Sequence, residues 1–172
     1  MSDLPEKVEI IIVTGPRGAG KSVVSQFLGY ALGLRCRNVG DHLLRRLVGT
    51  TGEAIERKEI GSRYFASFPR SSYYEILNGL ATSPCVIDGI RLAEGVERLK
   101  ASHDVLHIHC YIGDDIFGHS APPTEPYREE LPKLAVMADL LLRRKESIPN
   151  LGIRLQQLVY VLQALSDDPR HR

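Results

Sequence analysis

A glycine-rich segment of eight residues constrains the fold of this chain more than any other feature of its sequence. It consists of Gly15, Pro16, Arg17, Gly18, Ala19, Gly20, Lys21 and Ser22. These residues fit the pattern G-x-x-x-x-G-K-[ST] at every fixed position. An apolar, β-branched run at residues 8–14 precedes the segment, and a helical stripe that contains Val24, Phe27 and Leu28 follows it. The sequence therefore predicts a tight loop between a strand and a helix.

The chemistry of such a loop is that of an anion site. Glycines let the backbone turn its N–H groups inward, and the N-terminus of the following helix adds partial positive charge. Lys21 is expected to reach the β- and γ-phosphates of a nucleoside triphosphate, and Ser22 to offer its hydroxyl to Mg²⁺. Val23 follows in the first turn of the helix and completes the expected nucleotide contacts. We take ATP and Mg²⁺ as the expected cofactors.

The rest of the chain alternates between strand-like and helix-like segments. Predicted strands cover residues 8–14, 34–39, 84–88, 104–112 and 139–142. Predicted helices begin near residue 24 and cover 43–48, 53–65, 71–81, 92–101 and 127–137, before a final apolar stripe at 151–165. This alternation predicts an α/β fold with a parallel sheet covered on both faces.

Composition narrows the class of protein. The chain has 172 residues, of which 43% are hydrophobic and 25% charged, so we expect one soluble domain spanning residues 1–172. A net charge of +1 argues against a nucleic-acid or membrane partner, and no apolar run approaches the ~20 residues of a membrane span. Residues 1–7 are polar, unlike a secretory signal. We expect a cytoplasmic protein in which Cys36, Cys85 and Cys110 are buried, reduced thiols.

A second segment, Asp88-Gly89-Ile90-Arg91, ends the third predicted strand. Ligands of such sheets gather at the carboxyl ends of the strands. Asp88 is therefore expected near the loop, where its carboxylate can hold Mg²⁺ through water, and Arg91 is expected to bind a pair of phosphate oxygens. The alternative is that Asp88 only caps the next helix and that Arg91 is a solvated surface residue.

A third segment leaves the second predicted strand at the same edge. Asp41 and Arg45 are four residues apart, so they share one face of the helix that Asp41 is expected to cap. Arg45 could bind an anionic group of an acceptor, and Asp41 could orient or deprotonate an acceptor hydroxyl. The alternative is a capping aspartate with a surface ion pair.

Three further features are ambiguous. Residues 113–126 contain three Pro and two Gly and predict a long loop, which is either a lid or disordered. His107 and His109 alternate in a strand and so face one side, either as packed neutral imidazoles or as part of a metal site. An aromatic-rich stretch near Arg63 and Arg70 is either the wall of an acceptor pocket or ordinary core.

With these motifs the chain resembles the nucleoside monophosphate kinase-like P-loop kinases over about residues 8–165. Its loop resembles that of adenylate kinases and dephospho-CoA kinases. The Asp88 to Arg91 segment resembles the D-G-x-x-R element of adenylate kinases, one residue shorter, and also archaeal and phage deoxynucleotide monophosphate kinases. Asp41 with Arg45 resembles the D-x-x-x-R pattern of dephospho-CoA kinases, in which the Asp is the catalytic base. Residues 138–142 resemble the last strand of these kinases, and in that family the loop after this strand borders the adenine.

This resemblance implies a three-layer fold with a five-stranded parallel sheet in the order 2-3-1-4-5 and a short lid at about residues 113–128. It also implies transfer of the γ-phosphoryl group of ATP to a small-molecule acceptor, either a nucleoside or deoxynucleoside monophosphate or, with Asp41 as base, a hydroxyl. The implied catalytic residues are Lys21, Asp41, Arg91 and Arg128. The implied acceptor-binding residues are Asp41, Arg45, Arg63, Asp88 and Arg91, and Arg144 is assigned to the nucleotide.

The sequence departs from that pattern in two places. Residues 113–126 contain no Arg, so Arg128 is the first arginine of the expected lid. The Asn expected after the last strand is replaced by Arg143, Arg144 and Lys145. Either these basic residues replace the lid arginines, or the activity is weak or altered. A nucleotide-binding regulatory protein with little turnover therefore remains a third reading.

Overall fold

A computed structural model of the chain describes residues 8–51, 69–82, 84–125, 127–144 and 148–166. The statements below refer to these ranges. Arg63 and the helix predicted at residues 53–65 lie outside them.

Five parallel strands form one sheet at the centre of the described structure. They are β1 (Ile10–Thr14), β2 (Arg35–Asn38), β3 (Cys85–Asp88), β4 (Val105–Ile112) and β5 (Leu140–Arg144). Their order is β2-β3-β1-β4-β5, which confirms the predicted topology. Every residue of β1 is buried, because this strand has neighbours on both edges and helices over both faces.

Helices cover the sheet in two layers. They are α1 (Lys21–Ala31), α2 (Val39–Thr51), α3 (Arg70–Leu80), α4 (Ala93–Ser102), α5 (Leu131–Val136) and α6 (Ile148–Ser166). Ile10 and Ile12 belong to a core that includes residues of α2, α3, α4 and α5. Ile11 and Val13 point to the opposite face, where they pack in a second core with α1 and α6. Alternate side chains of one strand thus feed two cores, which is the predicted three-layer arrangement.

The start of α2 corrects the predicted cap. The helix begins at Val39, four residues earlier than predicted, and Asp41 lies inside its first turn. The side-chain oxygen of Asn38 accepts a hydrogen bond from the backbone N–H of Asp41 at 3.0 Å, so Asn38 is the residue that caps the helix. The prediction that Asp41 is the cap was wrong, because the strand ends one turn before the apolar periodicity of the helix becomes visible.

The segment after the predicted lid also differs from its prediction. In place of one helix over residues 127–137 there is a 3₁₀ turn, Arg128–Glu130, followed by α5. Tyr127 has a φ of 55°, a left-handed conformation that an α-helix cannot include. Pro132 then stands in the first turn of α5, where its missing N–H costs no hydrogen bond.

Two further findings concern the cysteines and the membrane. Cys36, Cys85 and Cys110 are all free thiols, but only Cys85 and Cys110 are buried. Cys36 is exposed, against expectation, because β2 is an edge strand.

Within the described part of the chain, no helix has the length and apolarity needed to span a bilayer.

Candidate nucleotide-binding site

The glycine-rich loop lies between β1 and α1, where the sequence places it. Gly15 has a φ of 133°, and a Cβ added there would stand 2.1 Å from the carbonyl oxygen of Cys110 on β4. No larger residue fits without moving that strand. Gly20 has a φ of 84° and is the residue before α1 begins at Lys21. The glycines thus let the loop pack closely against β4, and the N-terminus of α1 faces the space that the loop encloses.

Lys21 is held over this loop. Its ammonium group donates a hydrogen bond of 2.6 Å to the carbonyl oxygen of Pro16. Burial, and next the positive charge of Arg91, lower the pKa of Lys21 to about 8, while the carboxylates of Glu125 and Asp88 oppose that shift. Lys21 and Arg91 are therefore close enough for their charges to repel, and the carboxylates of Glu125 and Asp88 lie near enough to offset part of that repulsion.

Asp88 ends β3 beside the loop, as the sequence predicts. It is 5% exposed, and its Oδ1 atom accepts a 2.5 Å hydrogen bond from the side-chain amide of Asn38. Burial raises the pKa of Asp88, while side-chain hydrogen bonds from Asn38, Ser25 and Ser22 and the charge of Lys21 oppose that rise. Asp88 is thus near both Lys21 and Ser22.

The loop after β3 carries Arg91 into the same cleft. Its side chain is only 14% exposed and forms an ion pair with Glu125, whose own side chain is fully buried. The Oε2 atom of Glu125 accepts a hydrogen bond of 3.2 Å from the backbone N–H of Arg17, in the glycine-rich loop. One carboxylate therefore bridges the loop and Arg91. Sequence reasoning missed Glu125, because nothing local distinguishes this acid within a proline-rich segment.

The other predicted site residues lie at varying distances from this centre. The guanidinium of Arg144, at the end of β5, donates to the carbonyl oxygen of Gly18, so this residue does reach the loop. Arg128 donates to the carbonyl oxygen of His119 and lines a cavity of about 500 Å³ together with Glu125. Asp41 is half-buried at the start of α2, and Arg45, one turn further on, is exposed. Arg63 lies outside the described residues.

The two histidines of β4 share a buried hydroxyl. The Oγ1 atom of Thr14 is 2.7 Å from Nε2 of His107 and 3.0 Å from Nδ1 of His109. Burial is the main cause that lowers the pKa of each imidazole to about 4, so both are neutral at pH 7. Among the described residues, no group of three His, Cys, Asp or Glu side chains could hold a metal ion. The histidines are therefore packed neutral side chains of the sheet.

The donor groups of the site fit a magnesium nucleotide. The N–H of Arg17 already binds a carboxylate, which shows that this loop accepts an anionic oxygen. The Ser22 hydroxyl and the Asp88 carboxylate are hard oxygen donors, the type that Mg²⁺ prefers, and Mg²⁺ commonly completes its shell with water and phosphate. Arg144 lies beside Gly18 of this loop.

Solved structures of several kinases superpose on most of this chain. Shikimate kinase from Aquifex aeolicus superposes with a TM-score of 0.62 at 18% identity, covering 91% of this chain and 99% of that one. Shikimate kinase from Acinetobacter baumannii, in complex with shikimate, gives 0.58 at 19% identity, with coverage of 95% and 97%. A sugar kinase from Janibacter sp. gives 0.55 at 15%, with coverage of 92% and 98%. No protein-family model and no curated protein matches the sequence.

A likeness at this level of identity establishes a shared fold. Together with the loop between β1 and α1 and the strand order, it shows that the chain has the fold of the P-loop kinases. The three structures described above are of kinases named for shikimate or for a sugar.

Proposed function

We propose that the chain is an ATP-dependent small-molecule kinase that transfers the γ-phosphoryl group to a nucleoside or deoxynucleoside monophosphate. One observation carries this proposal. A backbone N–H of the phosphate-binding loop and the guanidinium of Arg91 bind the two oxygens of a single carboxylate, that of Glu125. Donors from the nucleotide side and from the neighbouring strand therefore converge on one small anion, as phosphoryl transfer between two phosphates requires.

The reaction asks mainly for positioning and charge neutralisation. Bound ATP would supply the phosphoryl group, and Mg²⁺ would screen its charge. Lys21 would bind the β- and γ-phosphates once its contact with Pro16 is exchanged for them. Ser22 and Asp88 would hold the metal, the latter through water. Arg91 would bind the phosphate of the acceptor, and Arg128, Arg45 and Arg63 are further candidates for that side.

A phosphate acceptor is favoured because the charge of Arg91 acts on Lys21 and its side chain is largely buried on the bridging carboxylate. A guanidinium presents a planar pair of donors that matches two phosphate oxygens, and burial strengthens the contact. An acceptor phosphate is already anionic at its attacking oxygen, so this reaction needs no general base.

A hydroxyl acceptor is the second candidate, and the structural comparison favours it. Shikimate, the compound bound in the Acinetobacter baumannii structure, has hydroxyl groups and no phosphate. In this reading Asp41, at the carboxyl end of the same sheet edge, would act as the base, and Arg91 would bind a carboxylate or phosphate elsewhere on the acceptor.

A screen of ATP turnover separates these possibilities. The purified protein is assayed with the nucleoside and deoxynucleoside monophosphates, with shikimate and with dephospho-CoA, and the Lys21→Ala variant serves as the blank. Turnover with a monophosphate supports the first proposal, and turnover with only a hydroxyl acceptor replaces it with the second. If ATP binds but no acceptor is phosphorylated, the chain is a nucleotide-binding protein, and both kinase proposals fail.

A further inference from the structure

The predicted lid places a buried carboxylate on the phosphate-binding loop. The Glu125 side chain has no exposed surface, and its two oxygens bind the N–H of Arg17 and the guanidinium of Arg91. A turn fixes it there, since the N–H of Glu125 donates to the carbonyl oxygen of Pro122 at 2.8 Å. The contact joins residues 108 positions apart in the sequence. It is therefore a built tertiary contact of the 113–125 segment with the loop.

The donors that hold Glu125 are those that a phosphate needs. Loop N–H groups and arginine side chains are the usual partners of phosphoryl oxygens. A carboxylate oxygen and a phosphoryl oxygen cannot occupy the same donors at once, because each would stand within hydrogen-bond distance of the same N–H. Two anions in one buried site would also repel each other strongly.

We propose that Glu125 is a specificity-determining residue, which occupies the position of a phosphoryl oxygen and yields only to a highly charged phosphate ligand. The inference rests on the proposed function of this site as a nucleotide site. A ligand with one negative charge only replaces the carboxylate of Glu125 on the same donors, so little binding free energy is gained. A magnesium triphosphate brings several oxygens and further contacts with Lys21 and the loop, so it can displace the carboxylate.

The structure also provides a place for the displaced side chain. Glu125, whose side chain is buried, borders a cavity of about 500 Å³ whose wall includes Arg128. The guanidinium of Arg128 donates to the carbonyl oxygen of His119, and it is the nearest arginine along the chain to Glu125. Arg128, on the wall of the same cavity, is therefore the candidate cationic partner for a carboxylate that leaves Arg91. The 113–125 segment contains no arginine, and through Glu125 it contacts the loop and Arg91 instead.

The test compares Glu125→Gln and Glu125→Ala with the wild-type protein. Glu97→Gln is the matched control, since Glu97 is an exposed acid of α4 that does not line this cavity. Calorimetric titrations use ATP with Mg²⁺, inorganic tripolyphosphate and inorganic phosphate. Losing a competing, charge-assisted pair of hydrogen bonds should tighten binding of ATP and tripolyphosphate by about 10- to 100-fold in both Glu125 variants. Inorganic phosphate, which binds too weakly to displace the carboxylate measurably in the wild type, should bind detectably to both Glu125 variants, and the control should bind as the wild type does.

Unchanged or weaker binding of ATP and tripolyphosphate by folded Glu125 variants would overturn the inference. Such a result would make Glu125 a structural counter-ion of Arg91 or a group that supports the ligand. If the alanine variant does not fold, the glutamine variant decides, because it keeps the size of the side chain. Failure of the proposed function looks different: the wild type then binds no ATP, or binds it equally well when Lys21 is replaced by Ala.

Discussion

The side-chain amide of Asn38 ties together the carboxyl ends of two adjacent strands, because it donates to Asp88 at 2.5 Å. Its oxygen accepts from the backbone N–H of Asp41 at 3.0 Å, which fixes the orientation of the amide. One side chain thus caps α2 and orients the carboxylate that we assign to the metal. The position of the candidate metal site and the start of a helix are therefore set by the same residue.

We expect Asn38→Ala to destabilise the protein by about 2 kcal/mol, since it removes both the cap and the hydrogen bond to Asp88. Asn38→Ser keeps an oxygen that can cap the helix but replaces the amide that reaches Asp88 with a shorter hydroxyl, so it should recover about 1 kcal/mol. Urea unfolding of the two variants and the wild type measures both effects. Equal stability of the serine and alanine variants would show that Asn38 does not act as a cap.

Lys21→Ala should abolish turnover and leave the fold intact. The ammonium group contacts the Pro16 carbonyl and lies outside both apolar cores, so its loss removes no core packing. Its charge is needed at the β- and γ-phosphates when negative charge is redistributed. A turnover assay beside a thermal melt tests this, with Lys133→Ala, which changes an exposed lysine of α5, as the control. Turnover by the Lys21 variant at the wild-type rate would refute the assignment of this loop as the catalytic site.

The affinity for ATP should fall as the pH rises above 8. The pKa of Lys21 is lowered to about 8, chiefly by burial, so the ammonium that binds phosphate is lost on raising the pH through that value. Between pH 7 and 9 the affinity of the free protein for ATP should fall about tenfold. Cys110, whose pKa burial raises to about 12, does not titrate in this range. The Lys21→Ala variant should show no such step, and a wild-type profile as flat as that of the variant would contradict the prediction.

Acid should destabilise the fold through the imidazole pair of β4. The pKa values of His107 and His109 are lowered to about 4 mainly by burial, whereas an unfolded imidazole has a pKa of about 6.5. The unfolded chain therefore binds more protons between these values, and stability is lost as the pH falls from about 6.5 towards 4. Between pH 7 and 5 we expect a loss of about 2 kcal/mol per imidazole.

Urea unfolding at pH 7, 6 and 5 measures this loss, above the range in which most carboxylates titrate. His109→Asn should reduce the pH dependence by about half, because one buried imidazole is removed. His119→Gln, at an exposed position, should leave it unchanged. A free energy of unfolding that is constant from pH 7 to 5 would mean that the two imidazoles are not held neutral.

The features that sequence reasoning predicted well depend on local pattern. The glycine-rich loop is one contiguous motif, and the continuous apolar run around Ile10–Thr14 is typical of a central parallel strand. The strand order followed from the resemblance that those motifs support. Asp88 and Arg91 were placed at the sheet edge, because a strand end locates the residues that follow it.

The features that escaped prediction depend on contacts between distant residues. Glu125 meets Arg17 and Arg91 only when the 113–125 segment folds back over the sheet, and no periodicity encodes that contact. The cap of α2 was assigned to Asp41 because aspartate is a favoured capping residue, whereas the strand end selects Asn38. The capping preference of aspartate pointed to Asp41, but β2 ends at Asn38, and Asn38 is therefore the residue directly before the helix.

The final prediction concerns Asp41, which separates the two acceptor classes. Its side chain is half-buried in the first turn of α2, and the cap belongs to Asn38. Asp41→Asn keeps the size of the side chain and leaves the cap in place, and the loss of a negative charge near a helix N-terminus costs about 0.3–1 kcal/mol. If the acceptor is a phosphate, kcat should fall less than about 100-fold, because general-base catalysis typically contributes 10²–10⁴-fold and none is needed. Turnover with the best acceptor of the screen, measured beside a thermal melt, tests this. A loss of several thousandfold in a folded variant would assign Asp41 as the base and move the protein to the kinases that phosphorylate a hydroxyl.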